Sequence, residues 1–126
     1  MQQKLFKTSL AVYVQANWNG ENTSGWHAFS DHVIILPDHL SSKSAGGVEI
    51  PQDVVDRMTM AAEAGVVISV GDGAFEYTSH GNPFKGRKPK AGDRVSIGRY
   101  SGQLLMGHDK QSYRILSDTE IGAIHG

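Results

Sequence analysis

The stretch "HVIILPDHLSSKSAGGVEIP", His32 to Pro51, decides how the chain is read. It opens with a β-branched run, His32 to Leu36, which Pro37 closes, the signature of a strand. Seven small, polar or glycine residues with one lysine follow, Ser41 to Gly47, and they have little to bury. Gly46 and Gly47 permit backbone angles that other residues resist. Then Val48, Glu49 and Ile50 place two apolar side chains at the far end of a slack segment. In an extended strand Glu49 points opposite to its two neighbours.

Working outward, short strands broken by turn residues recur. "LAVYVQA", 10–16, alternates, and "NWNGENTSG", 17–25, is a turn or loop. "GVVISVG", 65–71, is a second β-branched run. "DRVSIGRY", 93–100, alternates Val95 and Ile97 against polar neighbours. "GQLLMG" and "QSYRIL" form a hairpin through "HDK", 108–110, and "EIGAI", 120–124, follows. This pattern predicts an all-β fold, a small closed or nearly closed barrel in which closure removes exposed strand edges. One segment departs from it. "PQDVVDRMTMAAEAG", 51–65, has Pro51 at a helix start, Asp53 in the first turn and Gly65 at a stop. It reads equally as a short helix or as an irregular loop that orders on contact.

At 126 residues, 39% of them hydrophobic and 20% charged, the chain suits one domain with one core. A formal net charge of -1 gives no overall bias towards nucleic acid or acidic membrane. Absence of cysteine excludes disulfides, thiolate metal sites and a cysteine nucleophile, and fits a reducing compartment. The run "LAVYV", 10–14, is too short for a signal-peptide core, and nothing approaches the ~20 apolar residues of a membrane span.

No spacing among His27, His32, His39, His80, His108 and His125 matches a zinc pattern, so no metal or other cofactor is expected. "SDH", 30–32, lacks a nucleophile elbow, and "GDG", 71–73, lacks the rest of a dinucleotide fingerprint. An enzyme is not expected. The basic run 85–94, with Lys85, Arg87, Lys88, Lys90 and Arg94, reads as a solvated loop rather than a phosphate grip. Phe6, Tyr13, Trp18, Trp26 and Phe29 crowd the first quarter of the chain and suit either a core or a subunit contact.

"HVIILPD", "KSAGGVEIP", "EAGVVISVGDG", "KAGDRVSI" and "YRILSDTEIGAI", in that order over about residues 30–125, resemble GroES-type co-chaperonins. Pro51 and "DVVDR" are most similar to bacteriophage-encoded members. The resemblance implies a GroES-like barrel over 27–126, with residues 1–26 as an N-terminal extension of one strand plus a loop. It implies a mobile loop over about 40–64, a roof loop over about 74–90, and a homo-oligomer, usually a heptamer, capping a GroEL-type chaperonin. Val48, Glu49 and Ile50 fall on the partner-binding tip, and Ser44, Ala45, Gly46 and Gly47 on the flexible joint. Subunits join through terminal strands, which places Val33, Ile35, Ile121 and Ile124 at the interface. The function implied is assistance to protein folding for a viral client, in the host bacterial cytoplasm. The alternative is a structural protein of the virion that reuses the barrel, which the extension and Glu49 favour.

Overall fold

A computed structural model of the chain describes residues 13–40, 51–78 and 80–125. Among the described residues eight strands and one α-helix follow in the order β1 (Tyr13–Val14), β2 (His32–Pro37), β3 (His39–Leu40), α1 (Gln52–Met60), β4 (Ala64–Val70), β5 (Arg94–Ile97), β6 (Gln103–Met106), β7 (Ser112–Ser117) and β8 (Ile121–Ile124). Six of the strands make an antiparallel sheet in the order β6-β7-β2-β4-β5-β8, while β1 and β3 pair separately. The all-β reading holds, with the short helix α1 added.

The continuous apolar runs of β2 and β4 have a direct cause. A strand buried on one face alternates; a strand buried on both does not. Val33, Ile35 and Val67 enter a first core with Val95, Ile97, Leu116 and Phe75. Ile34, Leu36, Val66 and Ile68 enter a second on the opposite face with Ala16 and Tyr113. The first cluster gathers side chains from β7 through to Ile121 and Ile124 of β8, so the sheet wraps around it. Bulges at Ile34/Ile35 and Ser96/Ile97 assist that curvature. Among the described residues hydrogen bonding leaves β6 and β8 as the outermost strands, a nearly closed barrel.

Local expectations for β5 to β8 are met. Val95 and Ile97 point inward with polar neighbours between them. The hairpin at 107–111 is closed by Gly107 N donating to Gln111 O at 2.9 Å, with Lys110 at φ 69. Of the two readings of 51–65 the helix is the one formed, and it ends before the expected stop. The helix stops at Met60, and Ala61 N donates to Arg57 O. Gly65 is not a helix stop; it lies in β4, where an added Cβ would sit 2.6 Å from both Ile35 Cγ2 and Leu36 O. A strand approaching that closely tolerates only glycine.

Residues 13–28 lie across the second face. Ala16 is buried there, with Trp18 and Ala28 packed beside it. Thr23 Oγ1 donates to Asp109 Oδ2 at 2.7 Å, and the Tyr113 hydroxyl donates to the same carboxylate. Burial and the Asp109 charge push the Tyr113 hydroxyl up to about 12. Trp26 Nε1 donates to Met106 O at 2.9 Å, covering part of the outer β6 edge.

Candidate functional site

Of the site residues expected from sequence, Ser44, Ala45, Gly46, Gly47, Val48, Glu49 and Ile50 lie outside the described residues. What is defined is the place from which their segment leaves the barrel. Before it stands β3, and after it α1 begins with Val54 N and Val55 N donating to Pro51 O. The helix packs against β3 and β7, so both ends of segment 41–50 emerge from one corner of the fold. Thr59 helps to seat it: the side chain is buried and its hydroxyl donates to Val55 O at 2.8 Å. The second half of the span 40–64 is therefore this helix, the turn at 61–63 and the first residue of β4.

Asp38, between β2 and β3, organises the corner. Its carboxylate receives Arg94 Nη1 at 2.9 Å and Nη2 at 2.6 Å, a two-point pairing that only a planar guanidinium can make. Ala16 N donates to the same carboxylate at 2.9 Å, and Asp38 N donates to Ala64 O at 3.0 Å. Burial by itself would raise the pKa of this carboxyl, but Arg94 and the Ala16 amide outweigh it and hold it below the ordinary 3.8. A carboxylate with a lowered folded pKa stabilises above its unfolded value, and that contribution is lost as pH falls through the folded value. Asp38→Asn is thus expected to cost about 1–2 kcal/mol at neutral pH, given the partial exposure of the pair. It should also flatten the acid limb of stability below the usual carboxylate value; urea titrations between pH 7 and 3 measure this, and an unchanged limb would contradict it.

The expected subunit-contact residues separate into two pairs. Val33 and Ile35 are both 0% exposed, and their strand is hydrogen-bonded to β4 on one side and β7 on the other. Neither side chain nor backbone is left for a neighbour, so these two belong to the core of the subunit. Ile121 and Ile124 lie on the outermost strand β8, half-buried. They border a groove of about 400 Å³ lined also by Phe75, Phe84 and Pro89.

Residues 76–78 and 80–84 pair as a small hairpin: Thr78 N donates to Asn82 O, Phe84 N donates to Glu76 O, and Tyr77 bridges to Pro83. Phe84 seats it against Phe75, with ring centroids 6.5 Å apart. The basic run beyond is largely compensated. Arg87 and Lys90 approach Asp93 at 3.4 and 3.8 Å, Lys88 approaches Glu76 at 3.9 Å, and Arg94 is taken by Asp38. "GDG" serves the backbone, since Gly71 N donates to His32 O and Gly73 N to Ser30 O. Among the described residues no group of three histidines or carboxylates can hold a metal ion, and no helix is long and apolar enough to cross a membrane.

Sequence reasoning missed Asp38, Arg94 as its partner, and Arg114. Arg94 was visible only as one more cation in a basic run. Its partner lies 56 positions away, and no local pattern reports such a distance.

A family model described as chaperonin 10 Kd subunit matches residues 26–125. Co-chaperonin GroES of Phocaeicola vulgatus is 30% identical over 99 residues, covering 77% of this chain and 93% of that protein. Co-chaperonin GroES of Alcanivorax borkumensis is 31% identical over 94 residues, 75% of this chain and 90% of that one. Co-chaperonin GroES of Rhodothermus marinus is 32% identical over 92 residues, 73% of this chain and 83% of that one.

Proposed function

The chain belongs to the chaperonin 10 Kd subunit family, and from that premise we propose that it is a co-chaperonin whose ring of seven subunits caps a GroEL-type chaperonin and assists folding. It hydrolyses nothing itself and acts on the partner's nucleotide cycle. The observation that carries the reading is the family match across the whole barrel, 26–125, including segment 41–50 and both of its roots. Val48 and Ile50 are the apolar contacts of each loop, Ser44 to Gly47 the joint that lets them reach, and Ile121 and Ile124 the subunit contact. The hairpin within 74–90 is the roof. The working compartment is the bacterial cytoplasm, and similarity of Pro51 and "DVVDR" to phage-encoded members supports a viral client there.

A ring is required by magnitude. Burying Val48 and Ile50 contributes roughly 1.5–3 kcal/mol each. Ordering loop residues costs about 1–2 kcal/mol per residue. One loop is therefore barely favourable, whereas several on one scaffold engage at high effective concentration. The decisive experiment is co-sedimentation with a bacterial chaperonin, with and without ATP, alongside native mass. Nucleotide-dependent co-sedimentation of an oligomer is expected; a monomer that never co-sediments would overturn the proposal.

Glu49 separates the two apolar contacts and, on extended backbone, faces away from them towards a basic group of the partner. Glu49→Gln is expected to weaken capping at low salt and to remove most of the salt dependence of binding. Equal salt dependence in the two proteins would show that the carboxylate has no such role.

A further inference from the structure

We infer that residues 13–25, which lie outside the family-matched region, are a positioning strap that fixes where the partner-binding segment leaves the barrel, acting through β1 and the Ala16–Asp38–Arg94 node. The inference rests on the capping function proposed above.

Four observations converge. First, β1 pairs with β3 in the register Tyr13↔Leu40 and Val14↔His39, so the pairing ends at the residue before segment 41–50. A two-residue strand has no stability of its own, and among the described residues β1 is the only strand paired with β3. Second, two residues further on, Ala16 N donates to the carboxylate that Arg94 of β5 grips at both oxygens. The strap, the loop root and the sheet thus meet at one side chain. Third, the strap is fastened at its other end. His108 N donates to Ser24 O at 2.8 Å and Thr23 bonds Asp109, and just beyond the strap Ala28 N donates to Ser69 Oγ at 2.9 Å. Ser24 is fully buried, and the intervening Ala16 and Trp18 pack on the second core. Fourth, α1 packs against β3 as well, so the root has the strap's strand as its hydrogen-bonded partner and the helix as a second support.

The consequence is physical. A root held in place before binding does not have to be ordered during binding, and the saving recurs in every subunit of a ring. Asp38 is a positioning residue in this sense: it touches no partner group but sets the direction in which the contact residues are offered.

The test uses full-length protein carrying Val14→Pro with Ala16→Pro, which removes two backbone donors from the strap, one of them the donor to Asp38. Asp38→Asn serves as a second variant that keeps the side-chain shape and an oxygen acceptor for Ala16 N. Amide hydrogen exchange at His39 and Leu40 is expected to rise at least tenfold in the proline variant, with Val33 to Leu36 unchanged. ATP-dependent capping of a bacterial chaperonin should weaken at least tenfold, about 1.4 kcal/mol, at unaltered native mass. Asp38→Asn should move both readouts in the same direction by a smaller factor. Unchanged exchange at His39 and Leu40, or raised exchange with unchanged capping, overturns the inference while the capping function stands. If the unsubstituted protein does not bind the chaperonin at all, the capping function is overturned and the positioning role with it.

Discussion

Replacing Val48 and Ile50 together by serine is expected to abolish ATP-dependent co-sedimentation with a bacterial chaperonin, a loss of at least a thousandfold in affinity. Each truncation removes roughly 1.5–3 kcal/mol of apolar burial from a loop whose net contribution is already small. The losses recur in every subunit, and multivalent binding multiplies them as it multiplied the gains. Native mass and thermal stability are expected to stay as they were, because the proposed reading gives these two side chains to the partner rather than to the barrel. A doubly substituted protein that still co-sediments with ATP would show that the contact lies elsewhere on the ring.

Arg114→Leu should produce the largest loss of stability of any single substitution on β7. The guanidinium is fully buried and reaches two stretches of chain besides its own strand. It donates to Ala62 O at 2.7 Å, to Gly98 O at 2.9 Å, and to Ser101 O through Nε at 3.1 Å and Nη2 at 2.6 Å. These carbonyls belong to the turn after α1 and to the β5–β6 connection, so one side chain ties the helix end to the barrel. Leucine leaves three carbonyls without that donor. Each lost bond to a charged group is worth about 1.5–3 kcal/mol, partly offset because a buried charge no longer has to be desolvated. A net loss of about 3 kcal/mol follows, which for a domain of this size lowers Tm by roughly 10 °C. Thermal unfolding at matched protein concentration measures it, since oligomerisation makes Tm concentration-dependent. A fall of less than about 3 °C would show that water or a shifted backbone replaces the guanidinium.

Much of the strand pattern was legible residue by residue. "HVIIL" and "GVVIS" read as strands because unbroken β-branched runs suit strands buried on both faces, and the two cores show both faces filled. "HDK" read as a hairpin because a turn-forming aspartate sits between two short apolar runs, and Asp109 Oδ1 does accept from Gln111 N. The helix at 52–60 stayed undecided in the sequence, since nine residues of mixed polarity carry too little local preference. Burial of Thr59, Ala61 and Ala62 decides it. Gly65 was misread for a related reason: a glycine after a helical pattern looks like a stop, whereas its cause is a strand crossing nearby.

The subunit contact shows the same boundary. Val33 and Ile35 looked available because an apolar strand does not announce how many neighbours it has. Their strand has two, and the surface assigned to a second subunit is consumed inside the first. Of the four, Ile121 and Ile124 lie on a strand that has one hydrogen-bonded neighbour among the described residues.

By itself the sequence determined the strands, the hairpin, the lack of a metal pattern among its histidines, and the family, because each depends on residue types within a few positions or on their linear order. Tertiary structure alone decided that Asp38 holds Arg94, that Arg114 ties the turn after α1 to the β5–β6 connection, and that residues 13–28 lie across the second core. Those facts depend on which distant segments folding brings within 3 Å. A hydrogen bond is short-ranged in space and indifferent to separation along the chain, so its partners become identifiable only once the chain has packed.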